Sequence, residues 1–342
     1  MKDLYNEIAN IQFKQINPSS EDWHTIESTA DNTVYKTESW LRYLQKIGCK
    51  PFVCEVCKDG DRIGFFVGEQ KRRFFNVVGA PIEGVGTAHQ GLAMLERTTA
   101  SERIAIYNAL AVWIFKKRHA VWFQVEDQCI TEVDAIEAGA KYEKHDRNNL
   151  DLTLGEDTLF HNMSQKSCRY MINKAVKAGV TIREATDPNV FLDLHYAQHL
   201  QVMRSKGLDA LKPKSVFKAL VDATWPSDML LLEAVLPDGT VVGTGMYAVN
   251  HGSACYFSAA FDKECGVSPN ELMNWEAIKR CKARGARFFD FNGVSQWKFK
   301  YGGTYYVQPR LVYMRYRWLV KARKTASDFY HKFRYKLVKL GV

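Results

Sequence analysis

A lysine set among aromatic residues is the strongest candidate for chemistry in the sequence. Lys298 lies in the run 297–303, where Trp297, Phe299 and Tyr301 surround it and two glycines follow. A positioned, partly desolvated ammonium group can stabilise the oxyanion of a tetrahedral intermediate during acyl transfer. The alternative is a cationic loop whose lysines extend their ammonium groups into water.

The predicted strand before this run carries a carboxylate close to its end. Asp290 lies in the predicted strand 287–291, and Asn292 and Gly293 come directly after that strand. Glycine at such a place lets the backbone approach a ligand closely. Asp290 is therefore a candidate general base, or else a cap at the end of its strand.

No motif for a metal site or a covalent enzyme intermediate accompanies these residues. HExxH, GxSxG and P-loop patterns are absent, and the lone CxxC at Cys54 and Cys57 has no second pair of ligands. His195 and His199 stand four apart on a predicted helix without a third ligand, so we expect them at the surface or at a cap. We expect no metal and no bound cofactor, and chemistry based on positioning and electrostatics.

A basic stripe follows the predicted helix over 164–178. Lys166, Arg169, Asn173 and Lys177 are spaced by three and four residues, which places them on one helix face. Taken alone, such a stripe is most simply a solvated face.

Most of the net charge of +9 belongs to the C-terminal segment 314–342. This segment contains nine basic residues and one acidic residue, Asp328, so the rest of the chain is nearly neutral. From Phe329 onward its apolar residues recur every three or four positions, which predicts an amphipathic helix. Such a helix suits an anionic membrane surface or the phosphates of an RNA, and the alternative is a helix packed on the body with its lysines in water.

The pattern of predicted elements indicates a mixed α/β fold in two related halves. Long hairpins alternate with helices, which favours a mixed sheet with helices on its faces. A chain of 342 residues also exceeds the usual size of one domain. The helix-to-strand segment 114–125 matches 280–291 at a constant offset of 166 residues, close to half the chain.

Hydropathy predicts a protein of the cytoplasm. No run of about 18 apolar residues occurs, as a membrane-spanning helix would need. The N-terminal segment 1–7 is charged and lacks the apolar core of a signal peptide. The basic tail adds the alternative of peripheral contact with the inner face of the cytoplasmic membrane.

Several segments, in this order and spacing, resemble the Fem family of aminoacyl-tRNA-dependent peptidyltransferases and the broader GNAT acyltransferase group related to it. They are 37–40, 169–180, 256–260, 269–278, 290–293 and 297–303. The resemblance spans nearly the whole chain. It implies two tandem GNAT-like halves, each a mixed β-sheet flanked by helices, over 1–150 and 151–313. The second half would hold the catalytic cleft, and the basic tail 314–342 would follow.

The resemblance also implies roles for individual residues. Lys298 falls on the family's lysine beside the transferred acyl group. Asp290 is the second catalytic candidate, but because of its place in the predicted strand and not because of the resemblance. The substrate-binding candidates are Trp40, Arg204, Lys212, Tyr256, Asn292, Trp297, Tyr301, Gly302 and Gly303. The candidates for contact with tRNA are Arg169, Lys174, Lys300, Arg315 and Arg317.

The chain departs from the family where a peptidoglycan precursor would bind. Members that act on peptidoglycan place a lysine shortly after the early tryptophan, whereas this chain has Leu44 there. In the segment 203–217, where those members offer an arginine to phosphate, Arg204 and Lys212 are the available cations. The tRNA-facing helical hairpin of some members is also missing. The acceptor therefore stays open between a peptide, an amino sugar and a lipid-linked precursor.

A phosphate-binding loop, if present, would indicate that the acyl donor is acyl-CoA. CoA-dependent GNAT enzymes hold pyrophosphate on a Gln/Arg-x-x-Gly-x-Gly/Ala turn at a helix N-terminus. The corresponding segment 262–269 is acidic and lacks this pattern, and 84–87 in the first half lacks it as well. The leading hypothesis is thus an N-aminoacyltransferase with aminoacyl-tRNA as donor and an amine-bearing acceptor. The alternatives are an acyl-CoA-dependent N-acyltransferase in polysaccharide or cell-envelope biosynthesis, and a non-catalytic RNA- or membrane-binding protein.

Overall fold

The computed structural model describes residues 10–72, 75–207, 212–316 and 318. The predicted basic helix over 314–342 lies almost entirely outside these ranges, and so does Arg317. Within the described ranges, no helix is both long enough and apolar enough to cross a membrane.

The first half combines a mostly antiparallel sheet with helices that begin at strong capping motifs. Its strands are β1 (Ile11–Ile16), β2 (Lys50–Lys58), β3 (Asp61–Arg72), β4 (Asn76–Ala80), β5 (Gly91–Met94) and β6 (Trp122–Glu126). Its helices are α1 (Ser20–Ser28), α2 (Glu38–Lys46), α3 (Ala100–Lys117) and α4 (Glu132–Glu137). Ser19, Thr99 and Thr131 each close a capping box with the acidic residue three positions later, which fixes where α1, α3 and α4 start.

The second half begins with a strand that crosses the expected boundary at residue 150. Its strands are β7 (Tyr142–Asp151), β8 (Thr181–Glu184), β9 (Met229–Val235), β10 (Val241–Val249), β11 (Ala254–Phe261), β12 (Phe288–Asp290) and β13 (Thr304–Met314). Its helices are α5 (Glu156–Asn162), α6 (Tyr170–Lys177), α7 (Pro188–Arg204), α8 (Lys214–Thr224), α9 (Asn270–Ala283) and α10 (Gln296–Phe299). The predicted helix over 164–178 is divided: a wide turn, Gln165–Arg169, precedes α6.

One thirteen-stranded sheet joins both halves. Its order is β1-β2-β3-β4-β6-β13-β7-β12-β11-β10-β9-β8, with β5 paired to β3 beside this path. β13 lies between β6 and β7 and is antiparallel to both, so the end of the second half is hydrogen-bonded to the first. The expected class, a mixed α/β fold of two halves with helices on their sheets, is confirmed.

The internal sequence match corresponds to a shared arrangement. In each half a long helix, α3 or α9, leads into a strand that joins the sheet parallel to an earlier strand. These parallel pairs are β4 with β6 and β11 with β12.

Two apolar layers cover the sheet of the second half. Leu230 and Leu232 in β9 pack in a cluster with α6 and α9, whereas Met229 and Leu231 pack in a cluster with α2, α7 and α8. Alternate residues of a strand point to opposite faces, so a strand buried on both sides is almost continuously apolar. Because α2 belongs to the first half, this second cluster also ties the halves together.

Candidate active site

Buried polar side chains line one face of the sheet where the two halves meet. Strands β6, β13, β7 and β12 lie side by side there, and directly paired residues point to the same face. The pairs are Glu126 with Arg310, Arg147 with Tyr306, and Asn149 with Asp290. The next pair, Cys255 with Asp290, extends this face to β11. We call it the polar face.

Glu126 is the anchor of the polar face. Its buried carboxylate accepts hydrogen bonds from Arg310 Nε at 2.8 Å and from Arg147. Burial alone would raise the pKa of Glu126, but the charges of Arg147 and Arg310 outweigh this effect and lower it to about 2. The arginines are therefore held by an ionised carboxylate, and Arg147 is fixed beside Asp290.

The two carboxylate oxygens of Asp290 differ in their contacts. Its side chain is fully buried, and Oδ1 accepts a hydrogen bond of 2.6 Å from the backbone nitrogen of Asn292. Oδ2 has no hydrogen-bond partner among the described residues. It lies 3.9 Å from both Arg147 Nη1 and His89 Nε2. A buried carboxylate oxygen without a partner is uncommon and marks a place where a ligand or a proton can bind.

A left-handed turn after β12 turns two carbonyls toward Lys298. Asn292 has φ 59° and Gly293 has φ 92°, a region that glycine and asparagine adopt most readily. Lys298 Nζ donates to the carbonyl oxygens of Asn292 at 3.0 Å and Gly293 at 3.3 Å. The turn thus holds the ammonium group in one place.

Lys298 itself is a half-buried cation. Burial lowers its pKa, and the charge of Asp290 acts in the opposite direction. Its Nζ lies 5.5 Å from the ring centre of Trp297. Within the described ranges Lys298 forms no ion pair with a carboxylate, so its charge is available to a ligand.

Aromatic rings support the turn and α10. Trp297 contacts Tyr256 edge-on at 5.7 Å and Tyr301 at 6.3 Å between ring centres. Tyr301 is fully buried, stacks on Phe291 and accepts a hydrogen bond of 2.8 Å from Asn274. Trp297 is 38% exposed and can contact a ligand, whereas Tyr301 supports the site from the core.

The glycine pair after Tyr301 packs against the protein itself. A Cβ on Gly302 would lie 2.7 Å from the carbonyl oxygen of Asn162, and one on Gly303 would lie 2.3 Å from Asn148 Oδ1. Both contacts are shorter than a side chain permits, so glycine is required here for close packing.

Lys212 is a second half-buried cation on the same side of the sheet. Its Nζ lies 4.1 Å above the ring of Phe257, and burial lowers its pKa. Trp40 also contacts Phe257, is fully buried and donates from Nε1 to Thr87 at 3.0 Å. Arg204 is exposed at the last residue of α7. The structure therefore brings Lys212 and Trp40 together and leaves Arg204 at the surface.

The residues expected to face tRNA differ in their surroundings. Lys174 and Arg315 are exposed, and Arg169 is partly buried. Lys300 forms an ion pair with Glu271 of α9. The fifth, Arg317, is outside the described residues.

The expectation for the two histidines of α7 is wrong. His195 is fully buried, with its ring nitrogens 3.0 Å from Thr244 Oγ1 and Ser258 Oγ, and burial lowers its pKa to about 3. His199 is also buried, against Phe217. The predicted helix is correct, but its histidine face points to the sheet. Across the described ranges no three His, Cys, Asp or Glu side chains are placed to hold a metal ion.

Sequence reasoning missed the residues that surround Asp290. They are His89, Glu126, Arg147, Asn149 and Tyr306. A signal was present: polar side chains alternate at 145, 147 and 149 and at 304, 306, 308 and 310, which marks one polar strand face. The sequence does not show that these strands are neighbours.

Comparison with known proteins identifies the fold. Residues 163–301 match the family described as Acetyltransferase (GNAT) domain. The structure of FemX superposes with a TM-score of 0.74 and 14% identity, covering 90% of this chain and 99% of FemX. The chain has the FemX fold.

Other solved structures share this tandem arrangement. L-PGS from Bacillus licheniformis superposes with a TM-score of 0.52 and 12% identity, covering 88% of this chain and 93% of L-PGS. A tandem GNAT protein from the clavulanic acid biosynthesis pathway gives 0.50 and 12%, covering 89% and 98%. No curated protein matches the chain by sequence.

Proposed function

We infer that the protein is an N-aminoacyltransferase that moves an aminoacyl group from tRNA to an amine acceptor. The observation that carries this proposal is the position of Lys298. Its half-buried ammonium group is held by two backbone carbonyls, and the charge of Asp290 raises its pKa against the effect of burial. The FemX fold over 90% of the chain supports it, since the Fem family, which the sequence resembles, uses aminoacyl-tRNA.

The reaction joins the acceptor nitrogen to the ester carbonyl of the donor. Lys298 stabilises the oxyanion that forms as the nitrogen attacks, an effect that matters most where water is excluded. Asp290 Oδ2 accepts a proton from the attacking amine, the bond between the carbonyl carbon and the ribose oxygen breaks, and that proton passes to the departing ribose oxygen. Trp297, which is 38% exposed, is the aromatic side chain beside Lys298 that a substrate can contact.

The loop before α9 favours tRNA over CoA as the donor. Asp262 accepts a hydrogen bond of 2.9 Å from the backbone nitrogen of Glu264, so two acidic residues occupy the region where a pyrophosphate would need cations and free amides. Acyl-CoA-dependent transfer is the second candidate, supported by the GNAT match over 163–301.

A direct assay separates the two donors. The protein is incubated with bacterial tRNA charged with radiolabelled amino acids and a lysine-containing peptide or glucosamine, and in parallel with acetyl-CoA. We expect discharge of the tRNA and a labelled amide product. Release of free CoA with the tRNA left charged would contradict the proposal.

Matched variants connect the activity to the site. Lys298→Ala is expected to lower kcat by about 100-fold or more, the usual effect of removing one oxyanion donor. Lys279→Ala is the control, because Lys279 is also a half-buried lysine beside a tryptophan, Trp275, but is paired with Glu276 on α9. Equal activities of the two variants would show that Lys298 has no special role.

A further inference from the structure

The free oxygen of Asp290 lies at one end of a row of buried polar groups. His89 Nε2 is 3.9 Å from Asp290 Oδ2 and 3.4 Å from the hydroxyl of Tyr306. That hydroxyl accepts a hydrogen bond of 2.9 Å from Asn149 Nδ2, which leaves its own proton free to be donated elsewhere. One imidazole nitrogen thus stands between the carboxylate and the phenol.

The far end of this row reaches an open cleft. Tyr306 and Asn149 line a cleft of about 650 Å³ that Asp31, Arg97 and Arg287 also border. Asp290 is fully buried and His89 almost fully, whereas Tyr306 is only partly buried. The row therefore leads from the interior to a surface that solvent can reach.

The surroundings of His89 keep its imidazole neutral, so that it can accept a proton and release it again. The charged groups that face it are Lys36 from the first half, Glu126 on β6, Arg147 on β7 and Asp290 on β12. Burial, followed by the charge of Arg147, lowers the pKa of His89 to about 4, so its imidazole is neutral at pH 7. Its other nitrogen, Nδ1, has no hydrogen-bond partner among the described residues.

We propose that Asp290, His89 and Tyr306 form a proton relay that carries the proton released by the acceptor amine from the reaction site to the cleft. This relay rests on the proposed aminoacyl transfer. An acceptor that arrives as an ammonium ion loses two protons when it becomes an amide: one goes to the departing ribose oxygen, and one is surplus. Asp290 takes the surplus proton, His89 passes it to Tyr306, and Tyr306 donates its own proton to water in the cleft.

The geometry needs only a small adjustment. A hydrogen bond from nitrogen to oxygen is about 2.9 Å long, so Asp290 and His89 must approach each other by about 1 Å. Active-site hydrogen bonds are often longer before substrate binds and shorten in the complex.

Two nucleophiles of different charge test the relay. A lysine-containing peptide presents an ammonium ion, whose pKa is about 10.4, whereas hydroxylamine is largely uncharged at neutral pH and brings no surplus proton. With Tyr306→Phe we expect kcat for the peptide to fall roughly 10- to 100-fold, with KM unchanged. The rate with hydroxylamine should stay within about twofold of the unaltered protein, because the relay is not needed.

Tyr305→Phe is the matched control. Tyr305 is the neighbouring tyrosine of β13, is 50% exposed and donates its hydroxyl proton to Asp146 at the surface, 2.7 Å away. Both nucleophiles should react at unaltered rates in this variant. As a second test, His89→Ala should lose activity toward the peptide and regain it when free imidazole is added.

The outcomes are separable. If Tyr306→Phe slows both nucleophiles equally, or neither, the relay is wrong while the aminoacyl transfer stands. If the unaltered protein forms no product with either nucleophile, the proposed function fails and the relay with it.

Discussion

Equivalent positions on β6 and β12, the second strands of the two parallel pairs, carry buried polar side chains that differ in their hydrogen bonding. Gln124 on β6 and Asp290 on β12 are related by the offset of 166 residues. The side chain of Gln124 is satisfied on both atoms: it donates to the carbonyl of Pro81 at 2.9 Å and accepts from Trp122 Nε1 at 2.9 Å. Asp290 Oδ2 has no hydrogen-bond partner in the part of the chain that the structure describes.

The difference between Gln124 and Asp290 separates a structural role from a candidate catalytic role. A buried polar group with all its bonds made contributes to folding, whereas one left open has to be explained by a ligand, water or a reaction. After Asp290 the chain makes the turn that holds Lys298, whereas after Gln124 it continues to Glu126, which binds the arginines of the polar face. In the proposed mechanism Lys298 and Asp290 therefore come from the second half, whereas the first half contributes His89 and the ion pairs that hold the polar face.

The largest expected effect on kcat comes from replacing Asp290 by the uncharged amide, the type of side chain that Gln124 has at the equivalent position. Asp290→Asn removes the charge and keeps the shape, so we expect kcat in the tRNA-discharge assay to fall by about 100-fold or more, in the range of a lost general base. The melting temperature should change little. A variant with normal kcat would remove Asp290 from the mechanism.

Gln124→Glu is the reciprocal change in the first half. It places a carboxylate against the carbonyl of Pro81 and loses that hydrogen bond, so we expect about 2 kcal/mol or more of lost stability. Urea unfolding measures it, and the folded fraction should retain its kcat. Loss of kcat without loss of stability would contradict the division between the halves.

Glu126→Gln tests the joint between the halves. The change leaves Arg147 and Arg310 buried with less negative charge, and breaking such a group costs about 3–5 kcal/mol. Because the folded pKa of Glu126 is lowered to about 2 from its usual 4.5, its contribution is present above pH 4.5 and is lost as the pH falls toward 2. Urea unfolding between pH 7 and 3 should show this slope in the unaltered protein and a smaller one in the variant.

Glu69, in the first half, makes stability depend on pH in the opposite direction to Glu126. This fully buried carboxylate accepts a hydrogen bond of 2.6 Å from the backbone nitrogen of Ile82, and burial raises its pKa to about 8. The folded protein therefore holds a proton that the unfolded chain releases near pH 4.5, and stability falls as the pH rises from there to 8. Glu69→Gln should remove this loss and be more stable by roughly 1–3 kcal/mol at pH 9. A variant that is less stable at pH 9 would contradict the burial argument.

The smallest effect is expected from the aromatic support of the second half. Tyr301→Phe removes the hydroxyl that accepts from Asn274, which should lower stability by about 1 kcal/mol. KM for both substrates should stay the same, because the ring lies in the core. An increase in KM at unchanged stability would instead place Tyr301 against a substrate.

Much of the fold was accessible from the sequence. The helix-to-strand segment 114–125 and the helix that carries His195 and His199 follow from local periodicity. The expectation for the histidine face of α7 was wrong, because that face depends on which strands lie beneath the helix. A polar side chain on a helix carries no local mark of the hydroxyl partners that allow it to be buried.

Part of the candidate site could likewise be predicted from the sequence, and part could not. The sequence by itself determined the alternation of helices and strands, the duplication, and the local run from Asp290 to Gly303 that positions Lys298. Only the tertiary structure decided that β13 enters between β6 and β7, since strand order depends on contacts between distant segments. The pairing of β7 with β12 brings Arg147 and Asn149 beside Asp290, β13 adds Tyr306 on the other side of β7, and packing from the first half adds His89. The charge and hydrogen bonds around a carboxylate come from residues far away in the chain, so no local pattern can reveal them.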